Sequence, residues 1–212
     1  YMASVFNIDR ALAEFFDNVR GFRHLQKQCG VLISGSFALQ FLGRFRYEGS
    51  DLDLFLPMHS RIRLAMWLET QGYVFCPRET QPADIRSALC DERGGDGVNN
   101  YVYPYAGIFA VVTFRKERSA EGLPSVVQLI VAWRTPMEVI LGFHSTCVLN
   151  VITFDTAYSL YPQATYEDMC NLVLLDTPSR AAALEKYSRR GWSLIRRLEL
   201  PQFDLDCPFR SL

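Results

Sequence analysis

The chain has 212 residues, 49% of them hydrophobic and 13% aromatic, enough to bury a sizeable core in one domain or a compact pair. Its 22 Lys and Arg against 23 Asp and Glu leave a formal charge of -1. That balance excludes a protein-wide basic field for nucleic acid and leaves only a local patch to serve one. No apolar run approaches the ~20 residues that cross a bilayer, and the N-terminus lacks the charged-then-apolar order of a secretion signal. The expectation is an intracellular protein, cytoplasmic or nuclear, with no membrane partner. The six cysteines are scattered, with no C-x-x-C pair and no histidine at metal-ligand spacing, and read as reduced thiols.

In chain order, apolar residues recur at three-to-four spacing from Ile8 to Leu25, which predicts one amphipathic helix over 8–28. Val31-Leu32-Ile33 predicts a short strand, Ser34-Gly35-Ser36 a turn, and Phe37 to Phe41 the start of a second helix. Asp51 to Leu56 alternates acidic or aromatic residues with leucine before Pro57, the pattern of a strand; Arg61 to Gln71 predicts a helix that Gly72 ends. Cys76 to Pro104 is irregular and rich in turn formers, with Gly94-Gly95-Asp96-Gly97 at its centre. Ala106 to Phe114 and Val126 to Trp133 predict paired strands. Thr135-Pro136 predicts a capped short helix through Phe143, and Cys147 to Phe154 a further strand. From Thr165 the pattern turns helical, with Thr165 as a cap for one helix and another running from Thr177-Pro178 toward Leu198. The expected division is an α/β core over residues 1–160 and a helical C-terminal segment over 161–212 packed on it, or a single domain over 1–212.

Residues two apart in a strand share a face, so Asp51 and Asp53 project together, ~6–7 Å apart, while Leu52, Leu54 and Leu56 face the other way. Paired carboxylates suit Mg²⁺ (or Mn²⁺), which takes oxygen ligands and keeps waters that a phosphate displaces; a solvated strand edge would account for the same two acids. Gly35 and Ser36 lie one strand earlier. There a glycine lets backbone approach a phosphate, and the following helix offers free N–H groups.

Ile33-Ser34-Gly35-Ser36-Phe37 with Ser50-Asp51-Leu52-Asp53-Leu54 resembles the signature of the nucleotidyltransferase superfamily, the fold of DNA polymerase β. Phe143-His144-Ser145-Thr146-Cys147 resembles a Phe-Asp-x-x-Cys segment of small nucleotidyltransferase-like proteins. Lys186-Tyr187 with Arg190-Gly191-Trp192 resembles the Lys-Tyr, Arg-Gly-aromatic helix that closes them. The resemblance implies an α/β (α+β) nucleotidyltransferase fold: a mixed central sheet flanked by helices, with a mostly helical C-terminal part. It implies metal-dependent transfer of a nucleoside monophosphate from an NTP to a hydroxyl on a nucleic acid, protein or small molecule. Asp51 and Asp53 would be catalytic and metal-binding; Gly35, Ser36, Lys186 and Arg190 would bind the nucleotide.

Active members carry a third carboxylate on a later central strand, and here Gln128 occupies that place. An amide offers a carbonyl oxygen without charge, so the alternative expectation is a catalytically degenerate binding or regulatory module. Asp155, Glu117 and Glu138 are substitute acids under a shifted alignment, each also readable as a surface or capping acid. His144 stands where the motif has Asp, and a structural hydrogen bond accounts for it too. Arg189, Arg196 and Arg197 of the last helix read as its solvated face, and Arg44 and Arg46 are phosphate candidates by proximity to the motifs.

Overall fold

The computed structural model describes residues 6–90, 107–117 and 123–198. The glycine-rich centre of the irregular stretch and Cys207 lie outside them. The N-terminal helical pattern is two helices, α1 (Ile8–Leu12) and α2 (Val19–Cys29), and the break has a local cause. Asn7 caps the first through Oδ1, which accepts from the Arg10 N–H, and Asn18 caps the second by accepting from the Gly21 N–H, both at 2.9 Å. A cap satisfies a first-turn donor and so starts a helix wherever it stands. Gly30, left-handed at φ 63°, ends α2.

The chain then makes β1 (Leu32–Ser34), α3 (Gly35–Gly43), β2 (Leu52–Pro57), α4 (Arg61–Thr70) and β3 (Val74–Cys76). Next come α5 (Ile85–Cys90), inside the stretch expected to be irregular, and the long strands β4 (Ile108–Lys116) and β5 (Ser125–Ala132). Helix α6 (Pro136–Leu141) starts as the sequence predicts, with Thr135 Oγ1 accepting from the Glu138 N–H. After it come β6 (Asn150–Ile152) and β7 (Ala157–Ser159).

Seven strands form one mixed sheet in the order β3-β4-β5-β2-β1-β6-β7. Only β2 and β5 pair in parallel; the remaining pairs in this sheet are antiparallel. Leu52, Leu54 and Leu56 are fully buried in a core they share with Phe22, Leu25, Leu64 and Leu68 of α2 and α4. Each such leucine contributes ~1.5–3 kcal/mol through burial. Phe55 points the other way, into a second cluster with Ile130 of β5 and Val139 and Ile140 of α6. The two-residue period of β2 therefore sends leucines to one face and the acid face to the other.

The C-terminal part is not mostly helical. Thr165 caps nothing: it is fully buried in a single wide turn, Gln163–Glu167, and its carbonyl accepts from Trp192 Nε1 at 2.9 Å. Strand β8 (Cys170–Leu172) follows, then one helix, α7 (Ala181–Arg189), and β9 (Ser193–Ile195), which pairs with β8 in parallel. The helix stops about nine residues short of Leu198 because Gly191 takes φ 104° and turns buried Trp192 into a cluster with Leu39, Cys147 and Tyr187. Burial of one large ring and a non-local strand pairing override the local helical pattern here.

Candidate nucleotide site

Strand register assembles the sheet side of the site. Ser34 is opposite Asp53 in β1–β2, and Asp53 is beside Gln128 in β2–β5, so one row crosses three strands. Gly35 follows directly with φ 69°, and a β-carbon on it would overlap Asp53 Oδ2. The glycine is thus required by the neighbouring carboxylate as well as by the turn. Ser34 does not cap α3; its hydroxyl donates to the Asn150 carbonyl at 2.6 Å. The first-turn amides of α3 are left without a side-chain cap beside buried Ser36, the arrangement that receives anions at a helix start.

These residues border a cavity of about 350 Å³. Gly35, Ser36, Asp51, Asp53 and Gln128 line it from the sheet; Arg180, Lys186 and Arg190 line it from α7 and its flanks. The two motif aspartates, Gly35, Ser36, Gln128, Lys186 and Arg190 are therefore at one cavity. Asp155, Glu117 and Glu138 are not among its lining residues. Asp155 accepts from Thr153 Oγ1 at 2.9 Å in an exposed turn, and Glu138 pairs with Arg134 at 3.7 Å. Arg44 and Arg46 line a neighbouring cavity instead. Of the other charges expected on the last helix, Arg189 pairs with Glu185 at 2.6 Å and Arg196 with Asp176.

Asp53 is half-buried, open to the cavity and enclosed by protein elsewhere. Burial pushes its carboxyl up to about 7, the Asp51 charge adds to this, and Lys186 opposes it. Lys186 is held below the usual amine range, first by burial and then by Arg190, against the pull of Asp53 and Asp51. The Arg190 guanidinium lies over the Tyr47 ring, 3.9 Å from its centroid. His144, missed as a cavity residue by the sequence, lines it beside Tyr187, with ring centroids 6.1 Å apart. Burial, with Arg180 and Lys186 nearby, lowers it to about 4 and keeps it neutral. Its Nε2, Ser50 Oγ and Arg190 Nη1 are buried with no hydrogen-bond partner among the described residues.

Gln128 Nε2 donates to Asp51 Oδ2 at 3.0 Å. The amide N–H thus satisfies part of the Asp51 acceptor capacity, where a third carboxylate would have repelled the Asp51 charge. Among the described residues no group of three or more His, Cys, Asp or Glu is placed to hold a metal ion. The donor set is two carboxylates, which fits Mg²⁺ completed by phosphate oxygens and water rather than an all-protein cage. A half-turn of the Gln128 amide would present Oε1 as a further neutral oxygen.

Two solved structures resemble this architecture. A CCA-adding enzyme in an apo form superposes with a TM-score of 0.51 at 13% identity, over 88% of this chain and 42% of that one. A tRNA-processing enzyme in an apo form gives 0.50 at 17% identity, over 85% of this chain and 44% of that one. The chain has the nucleotidyltransferase fold. It spans less than half the length of those two enzymes. No family model and no curated protein matches it. Asp51 and Asp53 of β2 and Gln128 of β5 lie together at one cavity of this fold. No helix among the described residues is long and apolar enough to cross a membrane.

Proposed function

We propose that this nucleotidyltransferase-fold chain binds a nucleoside triphosphate with Mg²⁺ (or Mn²⁺) and transfers the nucleoside monophosphate to a hydroxyl acceptor. One observation carries the reading: two carboxylates and three cations line one cavity of about 350 Å³. Asp51 and Asp53 would hold the ion, whose charge would offset that of the phosphates. Lys186 and Arg190, with Arg180, receive the polyphosphate from the other side, and Gly35 and Ser36 bring the free amides of α3 to it. Phe55 and Ile130 add apolar lining to the same cavity.

A second reading, a degenerate nucleotide-binding or regulatory module, is favoured by the Gln128 contact. With its amide nitrogen on Asp51, Gln128 has no charge for the ion and no carboxylate to take the acceptor proton. Labelled NTPs with Mg²⁺ and cell lysate separate the two. Incorporation into RNA, protein or a small molecule that is lost in Asp51→Asn/Asp53→Asn supports transfer. Tight nucleotide binding with no incorporation supports the module. Either role suits an intracellular setting, where NTPs are supplied and where the cysteines described, all free, stay reduced. We treat residues 1–160 as the nucleotidyltransferase-like core and 161–212 as a segment that lends it the cationic wall, within one domain of 1–212.

A further inference from the structure

Three of the buried polar atoms left without a hydrogen-bond partner among the described residues belong to residues of the candidate site: His144 Nε2, Ser50 Oγ and Arg190 Nη1. Such an atom has lost water without gaining a bond, a cost that a bound ligand can remove. His144 is the most enclosed of the three residues, 8% exposed, whereas Ser50 and Arg190 are half-buried. Its position is fixed twice over. The Leu174 and Leu175 N–H groups donate to its carbonyl at 2.8 and 3.1 Å, and its ring stacks on that of Tyr187, with 29° between the planes.

Tyr187 holds more than the histidine. Lys186 Nζ lies 5.7 Å from the centroid of its ring and the Arg190 guanidinium 5.8 Å, so one buried ring gathers three nitrogen-bearing side chains that all line the cavity. Arg180, at the same cavity, and Lys186 both disfavour a charge on His144. Cys147, packed with Tyr187, has its thiol pushed up to about 12 by burial, and burial also raises Tyr187 above the usual phenol range, so both stay neutral. Asp51 and Asp53 act on Lys186 from the sheet. From α6 and the turn after it, Val139, Gly142 and Phe143 line the cavity without charge. A structural role for His144 asks for a partner at Nε2, and the described residues supply none.

We infer that His144 is a phosphate-binding residue of this site, its Nε2 donating to a polyphosphate oxygen that it shares with Arg180 and Lys186. The inference deepens the nucleotide reading of the same cavity and rests on it for the origin of the phosphates. An oxygen anion is the partner that fits, because the lysine and arginines beside the imidazole are donors only, and a neutral base or sugar hydroxyl would leave their charge unmatched. In the free protein the imidazole is neutral, lowered to about 4 by burial first and by the two cations second. A bound polyphosphate offsets those cations and offers the imidazolium a charge-assisted hydrogen bond. Binding therefore raises the pKa of His144, and the protein takes up a proton there at any pH between the free and the bound value.

The probe is inorganic tripolyphosphate without metal, which presents phosphates and nothing else. Calorimetry compares wild type, His144→Phe and Asp51→Asn/Asp53→Asn. Phenylalanine keeps a ring on Tyr187 and removes the nitrogen, and a melting temperature no lower than that of wild type shows that the variant folds. Its affinity for tripolyphosphate falls about tenfold or more, while the aspartate variant binds at least as tightly as wild type. On wild type alone, proton NMR of the imidazole rings reads the same contact. Saturating tripolyphosphate raises the His144 titration midpoint from about 4 by about one unit or more, and leaves those of exposed His24 and His59 in place. No tripolyphosphate binding by wild type, equal affinity in His144→Phe, or an unmoved His144 midpoint overturns the inference. So does a loss in His144→Phe with Mg²⁺-ATP but not with tripolyphosphate, which puts the histidine at the nucleoside. Tripolyphosphate binding that depends on His144, in a protein that does not bind Mg²⁺-ATP, overturns the nucleotide reading and leaves the phosphate contact standing.

Discussion

The two walls of the candidate site are built by different means. On the sheet side, Gly35, Asp53 and Gln128 are fixed by strand register and close approach, so each position is determined by its neighbours. On the helix side, Lys186 stands on a helix of nine residues anchored by buried Leu184 and Tyr187. The anionic wall is thus part of the fold, while the cationic wall is attached to it. Changes on the sheet side should alter both stability and ligand binding. Changes on the helix side should alter binding alone.

The largest expected effect is at Gly35. An alanine there adds a left-handed backbone penalty and a clash with Asp53 Oδ2, together ~2–4 kcal/mol of stability, read by urea denaturation. A loss below about 1 kcal/mol would show that the close approach is readily relieved. His144 comes next, because it stands between the walls. Its folded value of about 4 lies below that of an unfolded histidine, so the stability it gives is present above about pH 6.5 and fades as pH falls toward 4. On the order of 3 kcal/mol separates the two limits, and His144→Gln should flatten that part of the acid limb; an unchanged limb would place the titrating group elsewhere.

Gln128→Glu should cost the metal-free protein ~1–2 kcal/mol, since a donor on Asp51 becomes a third negative charge. Mg²⁺ should then raise its melting temperature more than that of wild type. A variant as stable as wild type without Mg²⁺ would remove the Gln128–Asp51 contact from the account. Smallest in stability is Lys186→Ala, with a change under ~0.5 kcal/mol. Its Mg²⁺-ATP affinity should still fall about tenfold, ~1.4 kcal/mol. A large loss of stability would mean that the two walls are one unit.

This contrast also explains what the sequence disclosed. The sheet wall was readable because its signals are local: strict alternation in β2, a Ser-Gly-Ser turn, and β-branched runs in β4 and β5. The glycine's contact with Asp53 was not, because it depends on which strands are neighbours. The C-terminal part misled because helical spacing continues through residues that Trp192 and the β8–β9 pairing hold in other shapes. Asn18 looks like any polar residue on a helix until its side chain is seen capping α2. Lys186 and Arg190 came from a motif echo; only the packing of Tyr187 and Trp192 brings them opposite Asp51 and Asp53. His144 gave no signal beyond standing where the motif has an acid.

The central claim is that Asp51 and Asp53 form a metal-nucleotide site, and calorimetric titration of Mg²⁺-ATP and Mg²⁺-GTP reads it directly. At about pH 8, above the value of about 7 for Asp53, wild type should bind at least one of the two. Affinity should weaken toward about pH 6, where the carboxyl must give up a proton to accept the ion. Asp51→Asn/Asp53→Asn should abolish the Mg²⁺-dependent part. Binding that is absent in wild type, or equally strong in the double variant, would contradict the account.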